Sequence, residues 1–186
     1  VKSTQQITKA MKMVAASKLR RAQDAIMQMR PYADRLHRIS ENVTAQMDEA
    51  APNPLSHQRS VEKVLMIVLT SDRGLCGAFN SNAIKMSLRY IDEHYREIAE
   101  TDSLWIMPIG KKAFDFFRKR RYNLVDDYAD LFQEISFEKV KEAAVFARSG
   151  FLDESFDRVH IVYNEFKNVA TQLLKVEQFL PLESAD

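Results

Sequence analysis

The sequence predicts an α/β protein in which a long N-terminal coiled-coil helix precedes a small Rossmann-like α/β domain with a mostly parallel sheet. Three observations predict this fold: an apolar stripe at helical spacing over residues 1–47, a nearly continuous apolar run over residues 61–70, and alternating strand and helix patterns after it. Strands that alternate with helices are typical of a parallel sheet covered by helices. We predict the helix and a linker over residues 1–57, and the α/β domain over residues 58–186.

The N-terminal segment has the spacing of a coiled-coil seam. Small or apolar residues recur at alternating steps of four and three, which keeps one stripe toward a partner helix. These residues are Ala15, Leu19, Ala22, Ile26, Met29, Ala33, Leu36, Ser40, Val43 and Met47. No later segment matches this stripe, so we expect its partner outside residues 1–186.

Pro31 lies inside the stripe and removes one hydrogen bond of a helix. Because the stripe stays in phase through Ala33 and Leu36, we predict a kink or a curve at the proline. The alternative is a break at Pro31 that leaves two ordinary helices.

The N-terminal segment is basic and the rest of the chain is acidic. Residues 1–38 contain nine Lys or Arg and two Asp, a net charge of +7, and since the whole chain carries +1, residues 39–186 carry −6. A basic helix favours an acidic partner, whether a protein, a nucleic acid or a membrane surface, and the alternative is a solvated helix face. The second basic cluster, Arg118 to Arg121, ends a predicted helix, where cations are favourable.

The first elements after the helix follow from local composition. Residues 48–60 contain two prolines and many polar residues, which is typical of a linker. The run from Val61 to Thr70 is apolar and β-branched, which predicts a strand buried on both faces. A helix is predicted from Ser81 to Glu100, and its inward face would use Ile84, Leu88, Ile91 and Ile98.

The alternation continues to the end of the chain. The further predicted elements are a strand at 104–109, a short helix at 111–121, a strand at 123–125, a helix at 137–149, and strands at 158–165 and 171–179. The helix at 137–149 would use Val140, Ala144 and Ala147 as its inner face. The last two strands read as a hairpin, which makes the final strand antiparallel.

The sequence contains no motif for catalysis or cofactor binding. The loop from Ser71 to Gly77 has neither the G-x-G-x-x-G spacing nor a P-loop ending, so no phosphate cradle is specified. Four scattered histidines and the single Cys76 predict neither a metal site nor an internal disulfide. No apolar run reaches 18 residues, so no transmembrane span is predicted. We expect a chain that is not an enzyme and binds no cofactor or metal ion.

Four motifs resemble the gamma chains of ATP synthases. Residues 7–23, ITKAMKMVAASKLRRAQ, are similar to the N-terminal helix of that family, and residues 71–80, SDRGLCGAFN, to the loop after its first strand. Residues 30–33, RPYA, look like the family's proline position, and residues 176–182, VEQFLPL, resemble the end of its last strand. The resemblance extends in order over essentially the whole sequence.

The resemblance implies a non-catalytic central-stalk rotor. In that family the N-terminal helix pairs with a long C-terminal helix of the same chain, inside a ring of three alpha and three beta chains. The α/β domain lies beside the epsilon chain and the c-ring of the membrane sector. The shaft turns and couples ion flow to conformational change at the nucleotide sites, for ATP synthesis or hydrolysis. By this resemblance the C-terminal partner helix is absent from the chain given and follows residue 186.

The resemblance also implies a set of partner-binding residues and a location. Six residues are expected to face acidic beta-chain loops: Lys9, Met11, Lys12, Lys18, Arg20 and Arg21. Met11 lies on the seam and is equally placed to face the partner helix. The expected location is the cytoplasmic face of the bacterial inner membrane, as a peripheral protein, with the mitochondrial inner membrane second. Neither nucleic-acid binding nor direct membrane insertion is expected.

Two rival functions stay open from the sequence. A homodimeric coiled-coil adaptor with a flavodoxin-like domain predicts self-association through residues 1–47, whereas a rotor predicts pairing with a different helix. A flavodoxin-like enzyme predicts a cofactor in the sheet crevice, and the missing phosphate loop disfavours it. A nucleic-acid-binding helix comes third and would show a steep salt dependence.

Overall fold

One helix, α1 (Lys2–Gln46), forms the N-terminal unit of the computed structural model. Pro31 lies inside α1, so the predicted continuation through the proline is confirmed and the alternative of a break is wrong. The structure describes residues 2–46, 53–168 and 171–182, so Met47 of the predicted seam lies outside the described residues. Pairing of α1 in a coiled coil stays a prediction.

A second compact unit holds a five-stranded sheet. Its strands are β1 (Val64–Leu69), β2 (Leu104–Ile109), β3 (Asn123–Leu124), β4 (Arg158–Phe166) and β5 (Gln172–Leu180). Their order across the sheet is β3-β2-β1-β4-β5, and every neighbouring pair is parallel except β4 and β5. Val64 of β1 lies opposite Leu104 of β2 and Arg158 of β4. The mostly parallel sheet and the terminal hairpin are confirmed.

Four helices accompany the strands: α2 (Phe79–His94), α3 (Arg96–Glu100), α4 (Lys111–Lys119) and α5 (Phe137–Leu152). The single helix predicted over residues 81–100 is divided at Tyr95, whose φ of −137° is not helical. The predicted inner face of α5 is wrong in part, because Val140 and Ala144 are exposed. Phe151, beyond the predicted end of that helix, is fully buried and brings Ala147 and Ala143 inward at steps of four.

The sheet separates two apolar cores. Side chains of β1 alternate between them, as expected for a central parallel strand, and Val64 to Val68 are all buried. Phe117 of α4 anchors the core beneath α2, α3 and α4, and Phe151 of α5 anchors the core on the opposite face. The prediction that β1 is buried on both faces is confirmed.

Residues 53–60 pack onto the domain, which corrects their prediction as a linker. Asn53 caps a short 3-10 turn, Pro54–Ser56, by accepting the Leu55 N–H through Oδ1 at 3.0 Å. The Leu55 side chain packs against the α5 core, and its carbonyl accepts the N–H of Leu182 at 2.8 Å. Residues 47–52 lie outside the described part, and the domain limits at residues 57 and 58 stay a prediction.

Asp157 holds the segment before β1 in place. Its carboxylate accepts Nε–H of Arg59 at 2.6 Å and the backbone N–H groups of Glu62 and Lys63 at 2.9 and 2.8 Å. Burial raises the pKa of this carboxyl, but these hydrogen bonds outweigh burial and hold the pKa below its usual value. A single carboxylate therefore binds Arg59, Glu62 and Lys63 of the segment before β1.

Arg59 is held by several contacts besides the one to Asp157. Besides its bond to Asp157, Nη2 donates to the carbonyls of Phe151, at 2.7 Å, and Phe156. The guanidinium lies 4.4 Å from the centroid of the Phe151 ring, a cation–π contact. Arg59 thus joins the chain that follows α1 to the end of α5.

His160 of β4 is a buried histidine held in the neutral form. Its Nε2 lies 2.7 Å from the hydroxyl oxygen of Tyr95, and its Nδ1 has no hydrogen-bond partner among the described residues. Burial and, to a smaller extent, the charges of Arg158 and His94 lower the pKa of His160 to about 4. Folding therefore disfavours its protonation.

We expect the domain to lose stability as the pH falls below 6.5 because of His160. The unfolded histidine takes up its proton near pH 6.5, whereas the folded one does so near pH 4. The contribution is fully present above pH 6.5 and decreases as the pH falls through this window, by up to about 3 kcal/mol. Urea unfolding at pH 7 and pH 4.5 should show a smaller difference for His160→Gln than for wild type. The exposed His57→Gln control should behave as wild type, and equal pH dependence of all three proteins would contradict the assignment.

Candidate functional site

α1 exposes almost all of the side chains that the structure describes along it. Among the side chains of α1 that the structure describes, only Gln23 and Ile26 are half-buried. The exposed large apolar residues are Ile7, Met11, Met13, Val14, Leu19, Met27, Met29, Tyr32, Leu36 and Ile39. A helix is expected here, because residues 2–46 contain no glycine and many Ala, Met, Lys, Arg and Gln. Such an uncovered apolar surface marks α1 as a site of interaction.

Part of this surface is the predicted seam. At about 100° per residue, Ala15, Leu19, Ala22 and Ile26 lie within about 60° of one another around the helix. The alanines permit close approach of another backbone, while Leu19 and Ile26 provide apolar contacts. This stripe is suited to one partner helix along its length.

A second apolar stripe lies away from the seam, and the sequence analysis missed it. Ile7 and Val14 are seven residues apart, as are Tyr32 and Ile39, and all four lie about 90–130° from the centre of the seam. The heptad spacing of each pair is the signal that could have revealed it. The apolar surface of α1 is therefore wider than one helix–helix seam requires.

The six predicted partner-binding residues are all exposed on α1, but they do not share one face. Met11 lies on the seam, and Lys12 and Lys18 lie about 60° to either side of its centre. The other three, Lys9, Arg20 and Arg21, lie about 110–130° from that centre. The cations thus surround the helix. No Asp or Glu precedes Asp24 in the sequence, so this positive charge is not compensated within the first six turns.

The loop from Ser71 to Gly77 is organised by one side chain. Asn80 accepts the Ser71 N–H through Oδ1 at 2.8 Å, and its Nδ2 lies 3.2 Å from the Arg73 carbonyl and 3.1 Å from the Cys76 sulfur. Gly77 has a φ of 60°, a conformation that glycine adopts readily. Cys76 is exposed and forms no disulfide.

Within residues 2–46, 53–168 and 171–182, no group of three or more His, Cys, Asp or Glu side chains is placed to hold a metal ion. The helices of these same ranges include none whose length and hydropathy would let it cross a membrane.

The chain is similar to ATP synthase gamma chains over nearly all of its length. The family model described as ATP synthase matches residues 1–186. The chain is 45% identical over 183 residues to the ATP synthase gamma chain of Cytophaga hutchinsonii, covering 98% of this chain and 62% of that one. It is 49% identical over 183 residues to the ATP synthase gamma chain of Chloroherpeton thalassium, covering 98% of this chain and 60% of that one. The chain therefore spans about three fifths of the length of these curated relatives.

A solved structure has a similar fold. The central stalk and c-ring assembly of the Tetrahymena thermophila mitochondrial ATP synthase contains a chain that aligns with a TM-score of 0.62 and 24% sequence identity. The alignment covers 94% of this chain and 72% of that one. At this identity the similarity concerns the fold.

Proposed function

We propose, because this chain belongs to the ATP synthase family, that it is the central-stalk rotor subunit of that complex and performs no catalysis itself. In this proposal α1 pairs along its seam with a second helix and turns within a ring of alpha and beta chains. The α/β domain contacts the epsilon chain and the c-ring of the membrane sector. The complex lies at the cytoplasmic face of the bacterial inner membrane, with this chain as a peripheral subunit.

The observation that carries the proposal is that α1 offers contacts in several directions. A two-stranded coiled coil needs one apolar seam and leaves the outer faces polar. α1 has the seam, but it also exposes Val14, Tyr32 and Ile39 away from it and carries cations on every side. A shaft enclosed by a ring needs both kinds of contact, and a homodimeric adaptor needs only the first.

The proposed coupling depends on contacts between α1 and the ring that differ from one orientation of α1 to the next. As α1 turns, a given neighbour in the ring meets Lys18 in one orientation and Arg20, on nearly the opposite side of the helix, in another. Each orientation then favours a different neighbour conformation, which is the requirement for coupling between distant sites. Coupling of this kind amounts to about 1–3 kcal/mol, and one exposed ion pair contributes less than about 1 kcal/mol. Several cations must therefore act together.

Charge reversal on α1 tests this proposal. We expect any single Lys→Gln or Arg→Gln change to alter ATP hydrolysis of a reconstituted alpha–beta–gamma complex by less than about fivefold, since one exposed pair contributes little. The triple change Lys9→Glu, Arg20→Glu and Arg21→Glu should reduce assembly and hydrolysis by about tenfold or more. Full-length gamma chain is used in each case.

The matched control reverses the charge of three exposed lysines of the domain by changing each to Glu: Lys85, Lys111 and Lys119. It changes the net charge by the same amount but leaves α1 intact, so assembly and hydrolysis should stay near wild type. If both triple variants lose activity equally, the effect comes from net charge alone. If neither loses activity, the cations of α1 do not contact the ring.

A further inference from the structure

An exposed tryptophan on an inner strand shows that part of the sheet is uncovered. β2 lies between β1 and β3, and five of its six residues are buried, but Trp105 is 38% exposed. A strand flanked on both sides in a parallel sheet is normally covered on both faces. Trp105 shares its face of the sheet with Met107, which packs in the α5 core. Within the described domain α5 is the one helix of that core, whereas α2, α3 and α4 line the opposite one.

The uncovered part forms a groove along α5. Three adjoining depressions of about 490, 590 and 330 Å³ follow one side of that helix, the first two sharing Phe146 and the last two sharing Tyr128 and Glu142. The apolar floor consists of Trp105, Val125, Tyr128, Leu131, Phe146 and Phe156. Phe146 lies between two aromatic neighbours, with ring centroids 5.9 Å from Tyr128 and 6.2 Å from Phe156. Aromatic side chains in a depression are typical anchors of a protein interface.

Carboxylates dominate the rim of this groove. The acidic residues are Asp127, Asp130, Glu138, Glu142 and Asp153. Three lysines line it too, Lys63, Lys139 and Lys141, of which Lys139 is paired with Glu134 at 2.9 Å. The five carboxylates thus outnumber the three lysines along the groove, which favours a cationic partner and disfavours anionic lipid.

We propose that the groove along α5 binds a basic amphipathic helix of a partner protein. The groove follows α5 from Glu138 to Gly150, about 18 Å or slightly more than three helical turns. A helix laid parallel to α5 would cover Trp105 with its apolar stripe and place Lys or Arg side chains beside Glu142 and Asp127. This surface lies on the α/β domain, and the inference stands independently of the rotor role proposed for α1.

Trp105 reports directly on occupancy, because it is the single tryptophan of the sequence. The probe is a synthetic leucine–lysine peptide of about 18 residues with helical spacing, which forms up to five turns. Its leucine–glutamate counterpart has the same apolar stripe and the opposite charge. We expect the lysine peptide to shift Trp105 emission to the blue and to protect it from iodide quenching, with an affinity that falls as salt is added.

Two charge-reversal variants locate the binding. The double variant Asp127→Lys, Glu142→Lys should bind the lysine peptide with an affinity about tenfold lower. The control, Glu93→Lys with Glu97→Lys, makes the same charge change on exposed positions of α2 and α3 and should leave the affinity unchanged. Circular dichroism verifies that both variants are folded.

Four results would overturn the proposal. One is an unchanged Trp105 spectrum with the lysine peptide, and another is equal binding of the glutamate peptide. A third is equal weakening by the control variant. The fourth is a Trp105 that is already shielded from iodide in the chain without peptide. Shielding at all concentrations would mean that another part of the chain covers the groove, and shielding that increases with concentration would mean that a second copy covers it.

Discussion

Replacing Asp157 with alanine is expected to lower the free energy of unfolding of the α/β domain by about 3–5 kcal/mol. The change removes the partner of Arg59, whose side chain is only 17% exposed, and leaves two N–H groups, of Glu62 and Lys63, without their acceptor. An uncompensated cation that is largely buried is costly, and each lost acceptor adds to that cost. Urea or thermal unfolding of the variant and wild type measures the difference.

The control for Asp157 is Glu62→Ala. Glu62 is exposed and carries the same charge in the same segment, so its loss should change stability by less than about 0.5 kcal/mol. Arg59→Ala should lose somewhat less than Asp157→Ala, because Asp157 keeps its two backbone donors. A loss below 1 kcal/mol for Asp157→Ala would mean that the segment is not held as described.

Replacing Gly110 with alanine is expected to lower the free energy of unfolding of the α/β domain by about 4 kcal/mol or more. Gly110 joins β2 to α4 at a φ of 105°, a conformation that other residues rarely adopt. A Cβ there would lie 2.1 Å from the Thr70 carbonyl oxygen, which is backbone at the end of β1. Since Thr70 also accepts the N–H of Ala113 through Oγ1 at 2.9 Å, β1 and α4 would be forced apart.

Gly74 provides the matched control for this substitution. A Cβ at Gly74 would meet nothing within 4 Å, so Gly74→Ala should change stability by less than about 1 kcal/mol. Soluble yield and thermal unfolding of the two variants are compared. Equal stability of Gly110→Ala and Gly74→Ala would contradict the close approach of β1 and β2 at their ends.

The elements that the sequence predicts well are those specified by local pattern. The β-branched run of β1, the strand at Leu104–Ile109 and the hairpin of β4 and β5 needed only a window of about ten residues. Helix α1 was predictable for the same reason, since its composition favours a helix strongly enough to continue through Pro31.

The features that escaped prediction depend on residues far apart in sequence. Residues 53–60 read as a linker because Arg59 and its partner Asp157 are 98 positions apart. The predicted inner face of α5 is wrong at Val140 and Ala144 because that face is fixed by Phe151, whose packing no local window reports. Trp105 reads as an ordinary core residue of β2, and only the missing cover on one face of the sheet makes it a surface.

The candidate site also has features that the sequence predicts and features that it does not. The exposure of Lys9, Lys12 and Lys18 follows from their charge, and the seam follows from spacing. Which neighbour each cation meets depends on other chains, so their role as a ring contact stays a proposal. The second apolar stripe on α1 became visible once the helix was known to be continuous, because a break at Pro31 would separate Val14 from Tyr32.

Rotation of this chain within the complex is the most direct test of the proposed function. The full-length chain, with Lys119→Cys as the attachment point on exposed α4 and Cys76→Ser to leave one label site in residues 1–186, is assembled with its alpha and beta chains. The ring is fixed to a surface and a gold particle is attached to the domain. The proposal predicts unidirectional stepwise rotation that requires ATP and slows when α1 carries the triple charge reversal. ATP hydrolysis by the labelled complex without any rotation of the particle would contradict it.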